Sequence, residues 1–195
     1  TVNEGDADQL TALQISGVIL TDSASNVSVP AAGTDVVKTI DANSPVVSAL
    51  SLTPNSGILG IGGIVTLNIT ADAEGYTASA ITVNNKSVAG FTDLGAGSYR
   101  VTYTIASGDT SRTAGTVPAS VALTDSAGNT NIAYTTVAAN SLVIDTGIPV
   151  ISSINSNATT SGVLKVGDSI IFTLTPQIAE PGATVTGSYN GVVLS

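Results

Sequence analysis

The chain has 195 residues, 10% of them charged and 43% hydrophobic, with a formal net charge of −9 and no Cys, Met, Trp or His. Only five Lys and Arg are present, so there is no basic footprint for nucleic acid; the missing Cys and His exclude disulfides, thiolate or imidazole metal sites and a Ser-His-Asp triad. The apolar content is too high for a disordered acidic tail, and no run of about 18 unbroken apolar residues is available to span a membrane.

The first recognisable element in chain order is "LTDSASN" at Leu20 to Asn26, an aspartate set in a turn of small residues. The linker-like "TIDANSP" follows, and then a series of short segments: "VVSALSLTP", "GIVTLNITA", "SAITVNNKSVAGF", "SYRVTYTIA", "ASVALTDSAG" and "IAYTTVAANSLVID". Each is rich in Val, Ile, Thr and Tyr and bounded by Gly, Asn, Asp, Pro or Ser, which predicts strands. In "YRVTYTI", Tyr99, Val101, Tyr103 and Ile105 alternate with Arg100, Thr102 and Thr104, giving one apolar and one polar face. No segment carries a helical stripe with caps. "GILGIGG" at Gly57 to Gly63 has the glycines of a phosphate loop without its Lys-Ser/Thr ending, and it leads into a strand; it reads as a turn.

The chain then repeats itself. "LTDSAGN" at Leu123 returns the earlier heptapeptide with Asp125 lying 103 residues after Asp22, and "VIDTGIPVISSI" returns "TIDANSPVVSAL" with Asp145 lying 104 residues after Asp41. "KVGDSIIFTLT" matches "GIGGIVTLNIT", and Glu180 follows Glu74 by 106 residues. A slowly drifting offset is the signature of a tandem repeat with small loop changes, here about 104 residues long. The frame predicts the C-terminal part of a module at 1–39, a complete module at 40–143 and the N-terminal half of a third at 144–195, as in a window on a longer array. About seven strands per 100 residues point to an antiparallel immunoglobulin-like β-sandwich.

The order of "ASVALTDSAGNTN", "VIDTGIPVISSI" and "AEP" resembles the bacterial and archaeal Ig-like repeats of large surface proteins, S-layer proteins and adhesins among them. The first copy departs from the pattern, with Ser25 in place of Gly128 and a shorter "VPAAGTDVVKTID". The resemblance implies an extracellular, cell-surface location and calcium held at module junctions, where it stiffens the array.

In a sandwich of this type the linker before the first strand, the second turn and the last turn gather at one pole. For the complete module these hold Asp41, Asp72 with Glu74, and Asp125; for the third copy, Asp145 and Glu180, with Gln177 near the place of Asp72. Asp109 falls in a turn at the opposite pole, within reach of that second set. Converging carboxylates suit a hard cation such as Ca²⁺, which takes six to eight oxygens. The same residues also have a plain structural reading: Asp22 and Asp125 as turn residues that accept backbone N–H bonds, Asp41 and Asp145 as solvated linker positions beside Pro45 and Pro149, and Glu74 and Glu180 as exposed turn charges.

Sequons at Asn26, Asn68, Asn85 and Asn157 are about as many as chance gives in a chain so rich in Ser and Thr. Asp72 and Glu74 lack the aromatic platform of a glycosidase cleft. The sequence therefore points away from an enzyme and towards a structural segment built from rigid modules (S-layer, surface filament or adhesin stalk), with neighbouring copies or modules as partners. The alternative is a ligand-binding adhesin module for glycan or protein, for which Tyr76, Tyr134 and Tyr189 are the candidate contacts.

Overall fold

The computed structural model describes residues 1–33, 38–158, 162–179 and 182–193. Glu180, a candidate acidic residue, and Leu194 lie outside the described residues. Among the described residues all regular structure is β: thirteen strands and no helix. The chain divides into two compact units, Thr1–Thr146 and Gly147–Ser195.

In unit 1, β1 (Val47–Thr53), β3 (Ile64–Ala71), β7 (Ser98–Thr104) and β6 (Thr92–Gly95) form an antiparallel sheet in the order β1-β3-β7-β6. A second antiparallel sheet has the order β5-β4-β8, from β5 (Lys86–Ser87), β4 (Thr77–Val83) and β8 (Ala119–Thr124). A short parallel pair joins β2 (Ser56–Leu59) to β9 (Ser141–Ile144). Alternation decides which face is buried. In β7, Tyr99, Val101 and Tyr103 are inside while Arg100 and Thr102 face out; in β3, Val65, Leu67, Ile69 and Ala71 are inside. Val121 and Leu123 of β8 and Leu142 and Ile144 of β9 share a single buried cluster with them. Each such side chain contributes about 1.5–3 kcal/mol by leaving water, so this shared core is what stabilises unit 1.

The segment "SAITVNNKSVAGF", expected as one strand, is instead the hairpin β4–β5. Asn84 and Asn85 take φ of 53° and 61°, the left-handed pair that a two-residue hairpin turn of matching twist requires. Asn-Asn supplies it because asparagine tolerates that region better than most side chains. The final segment, "IAYTTVAANSLVID", is strand only at β9, with single bridges at Tyr134 and Val137 before it.

Unit 2 contains β10 (Ile151–Ser156) paired with β11 (Phe172–Pro176), and β12 (Ser188–Tyr189) paired with β13 (Val192–Val193). Its described residues build no closed core: Ile151, Ile154, Val185 and Val192 are all more than half exposed.

Backbone pairings recur along the chain at nearly constant spacing. Pairing of β10 with β11 reproduces that of β1 with β3, including the irregularity between Ile151 and Ser153 that answers the one between Val47 and Ala49. Hairpin β12–β13, with Asn190 and Gly191 at its tip, reproduces β4–β5. Residues 1–33 and 38–40 repeat hydrogen bonds of 104–144: Val18 exchanges both bonds with Ala31 as Val121 does with Tyr134, and Gln9 with Ile40 as Arg112 does with Ile144. Asp6 accepts the Asn3 N–H at 2.8 Å just as Asp109 accepts that of Ala106.

Candidate functional site

The two heptapeptides fold into the same turn. Asp125 Oδ1 accepts the N–H groups of Ala127, Gly128 and Asn129 at 2.8–2.9 Å, and its Oδ2 accepts Asn129 Nδ2 at 2.9 Å. Asp22 does the same with Ala24, Asn26 and Asn26 Nδ2 at 2.8–2.9 Å. The short carboxylate reaches its own downstream backbone and closes the turn, as aspartate does in an Asx turn. Gly128 has φ 99° and Ser25, its replacement, φ 70°, so the first copy forms the same turn with a residue less suited to it. Asn129 Nδ2 also donates to the Asp41 carbonyl at 3.1 Å, tying this last turn to the linker.

Around that tie the expected pole assembles. Asp41, Asp72, Glu74 and Asp125 line one open cleft of about 340 Å³ together with Asn43, Ser44 and Tyr76. Asp72 Oδ1 accepts the Val46 N–H at 2.9 Å and the Tyr76 hydroxyl at 3.1 Å, and Glu74 Oε2 accepts the Ala96 N–H at 2.9 Å. Asp41 Oδ1 accepts the Asn43 N–H at 3.3 Å. Sequence reasoning missed the other half of this pole. Glu4 accepts both the N–H and the hydroxyl of Ser44, Asp8 accepts the Ala42 N–H and Asn43 Nδ2, and Asp93 accepts the Gly75 and Gly95 N–H groups. Glu4 and Asp8, from the N-terminal stretch, thus clamp the backbone of Ala42 and Ser44 just before β1. The only available signal was their place just before the repeat boundary in space, which the spacing alone does not reveal.

Among the described residues no group of three or more acidic side chains is disposed as a coordination shell. The reason is visible atom by atom: Asp125 spends both oxygens on its turn, while Asp41, Asp72 and Glu74 each give one oxygen to an N–H and keep the other outside these bonds. Asp109 is turned inward. It is 9% exposed, its Oδ2 accepts the Tyr103 hydroxyl at 2.6 Å and the Ala106 N–H at 2.8 Å, and its Oδ1 pairs with Lys86 at 3.1 Å. Its side chain is thus committed to the interior; only its carbonyl meets the second linker, accepting the Thr146 hydroxyl at 2.8 Å. Asp145 donates its N–H to the Leu59 carbonyl, and the Gln177 N–H donates to the Val150 carbonyl as that of Asp72 does to Val46. Of the candidate contact tyrosines, Tyr76 and Tyr134 are half-buried, and each donates its hydroxyl within unit 1, to Asp72 and to the Ser48 carbonyl. Tyr189 is 54% exposed, its ring tilted on Phe172 at 5.1 Å.

These bonds set the acid behaviour. The Tyr103 hydroxyl and the Ala106 N–H, against an opposing effect of burial, hold Asp109 down to about 2. Ser44 holds Glu4 below the usual carboxylate range and Asn26 does so for Asp22; burial pushes Asp125 up, but the bonds from Asn129, Gly128 and Ala127 outweigh it. A carboxylate depressed in the folded state contributes stability above its unfolded pKa and loses it as the pH falls through the folded one. The chain is therefore expected to keep its melting temperature down to about pH 4.5 and to lose it progressively towards pH 2. Melting curves across that range check this; a melting temperature that holds to pH 2 would contradict it. At the alkaline end, burial and then the bond to Asp72 push Tyr76 up to about 12.

Compared with protein families, with curated proteins and with solved structures, the chain matches none. No helix of the described residues is long and apolar enough to cross a membrane.

Proposed function

We propose that this chain is a structural segment of an extracellular cell-surface protein, built from tandem Ig-like β-sandwich modules of the kind found in bacterial and archaeal S-layer proteins, surface filaments and adhesin stalks. One module is complete, at 40–143, and 1–39 and 144–195 are the closing and opening parts of its neighbours. The observation that carries the reading is the recurrence of the same backbone bonds at 103 to 106 residues on three stretches of one chain. A sequence that rebuilds one unit repeatedly, ties its first linker with the carboxylates of Glu4 and Asp8 and lacks His and Cys is suited to spacing and not to chemistry. The alternative, a glycan- or protein-binding module, is less favoured because two of its three tyrosines are spent on internal bonds.

Antibodies raised against residues 40–144 are expected to label intact cells that make the protein, and protease added outside is expected to remove the label. Labelling only after lysis would overturn the surface assignment.

Calcium belongs to this reading as a stiffener of the pole. Asp41, Asp72 and Glu74 would hold it with the oxygens left outside their hydrogen bonds, and Asn43 adds a neutral oxygen. An ion at about 100 times its dissociation constant adds about 2.7 kcal/mol, so calcium should raise the melting temperature and chelator lower it, with Asp72→Ala abolishing the difference. Superimposable curves would leave the cleft as a set of turn clamps.

A further inference from the structure

Strands β1 to β9 of unit 1 are threaded so that the chain enters them at one end and leaves at the other. Val47, the first residue of β1, pairs with Ala71, the last of β3. Strands β1 and β2 then run on to the turn at Gly60 to Gly63, which the Gly63 N–H closes on the Gly60 carbonyl at 2.9 Å before β3 begins. The last strand, β9, runs in the same direction as β2, in parallel register from Ser56 beside Ser141 to Leu59 beside Ile144. The pairing reaches past both strands. Ala138 N–H donates to the Leu50 carbonyl at 2.8 Å, Ser141 N–H to that of Asn55 at 2.7 Å and Asp145 N–H to that of Leu59 at 2.9 Å. Entry and exit segments thus lie side by side and point the same way, while the rest of the chain continues from their opposite ends.

We infer that this parallel pair is a mechanical clamp: tension along the chain shears β9 against β2, and unit 1 holds until the bonds between them break together. The inference rests on the structural reading above and adds what the segment withstands. Tension draws Val46 and β1 away from the Gly60 to Gly63 turn and draws Thr146 the opposite way. The bonds of a parallel ladder are evenly spaced and cross between the strands, so sliding strains all of them at once, whereas peeling would break them one after another.

Both ends of the pair are braced. At the entry, Val46 donates its N–H to Asp72 Oδ1 at 2.9 Å and accepts the Asp72 N–H at 3.0 Å. At the exit, β9 is gripped on its other side as well: Ile144 exchanges bonds of 2.8 and 3.0 Å with Arg112, and Thr146 donates its N–H to Ser111 Oγ at 3.0 Å and its hydroxyl to the Asp109 carbonyl at 2.8 Å. That grip is fixed to the interior. Arg112 Nε donates to Asn84 Oδ1, Asn84 Nδ2 donates to the Thr110 carbonyl, and Asp109 accepts the Tyr103 hydroxyl. Apolar burial is non-directional, so the buried polar network supplies the directional hold that a strand under tension needs.

Single-molecule pulling on the full chain tests this. The sequence contains no cysteine, so an introduced pair fixes where the force acts. Val46→Cys with Ile148→Cys loads the clamp in shear; Ile61→Cys with Ile148→Cys pulls on the adjacent ends of β2 and β9 and peels them. All three positions are exposed, and both pairs should keep the melting transition of unit 1. At one loading rate the shear pair should unfold at about twice the force of the peel pair or more, because the rate of unfolding under force is set by the bonds that break in the transition state. In the shear pair, Asp145→Pro removes the N–H given to Leu59 and should lower the force by about a third. Leu123→Ala lowers the melting temperature but should change that force by less than about a tenth, since its contacts are still made when the clamp gives way. If Asp145→Pro loses the melting transition, the comparison of the two cysteine pairs, which removes no backbone bond, decides alone. Equal forces in the two geometries, or a Leu123→Ala loss of force as large as that of Asp145→Pro, would overturn the clamp. Either result leaves the surface reading standing; labelling of cells only after lysis removes that reading and leaves the clamp as a property of unit 1.

Discussion

Leu123→Ala is expected to destabilise unit 1 by about 2–5 kcal/mol, while Leu20→Ala, at the same first position of the near-identical heptapeptide, changes its stability by less than about 0.5 kcal/mol. Local sequence and hydrogen bonding are nearly the same in the two turns, with Ser25 for Gly128 and one N–H fewer on Asp22, so propensity predicts little difference. Burial predicts all of it. Leu123 is fully buried in the cluster with Leu67, Ile69 and Val121, and its truncation removes apolar contact and leaves a cavity that a two-sheet core closes only in part. Leu20 is 76% exposed, and an alanine there gives up little. For a unit of this size the first change lowers the melting temperature by roughly 5 °C or more. Thermal unfolding followed by circular dichroism reads both; equal losses would mean that residues 1–33 belong to the unit 1 core.

Asn84→Ala is expected to cost about 3 kcal/mol. Among the described residues Asn84 is the most buried polar one, at 0% exposure. Its Nδ2 donates to the Tyr103 hydroxyl at 3.1 Å and to the Thr110 carbonyl at 2.9 Å, and its Oδ1 accepts Arg112 Nε at 2.6 Å. Alanine leaves the Arg112 Nε–H and the Thr110 carbonyl without this partner, and it must hold φ 53° with no side-chain compensation. Asn84→Gly separates the two effects: it relieves the backbone but not the lost bonds, and should recover about 1 kcal/mol of the loss. If Asn84→Ala melts with the wild type, the network ties nothing together. The same network explains why Asp109 does not serve the second linker with its carboxylate: Tyr103 and Lys86 claim it from inside.

The comparison of these residues shows where sequence reasoning reaches. Strands such as β3 and β7 were legible because their inward and outward residues alternate without interruption, and the recurrence of Asp22 at Asp125 was legible because a turn of small residues tolerates little substitution. The gathering of Asp41, Asp72, Glu74 and Asp125 followed from topology alone. What stayed hidden depends on contacts between distant segments. Strand β2 is held by parallel pairing with β9, some 85 residues later, and its glycine-rich sequence carries no strand signal of its own. Glu4 and Asp8 are acids in an unpatterned stretch until the backbone of Ala42 to Ser44 is brought to them. Whether a carboxylate keeps an oxygen for a cation or spends it on an N–H is a matter of ångströms, which spacing does not encode.

The most direct test of the modular account is to give unit 2 the half it lacks. Val193 holds the place of Ser87, so a chain that continues after Val193 with a second copy of residues 88–144 supplies counterparts of β6 to β9 in register. Amide hydrogen exchange of that extended chain should show Ile154, Phe172 and Leu174 becoming as protected as Leu50, Leu67 and Ile69, together with a second cooperative unfolding transition. Fast exchange at Ile154, Phe172 and Leu174 in the extended chain, with one transition as before, would contradict the account.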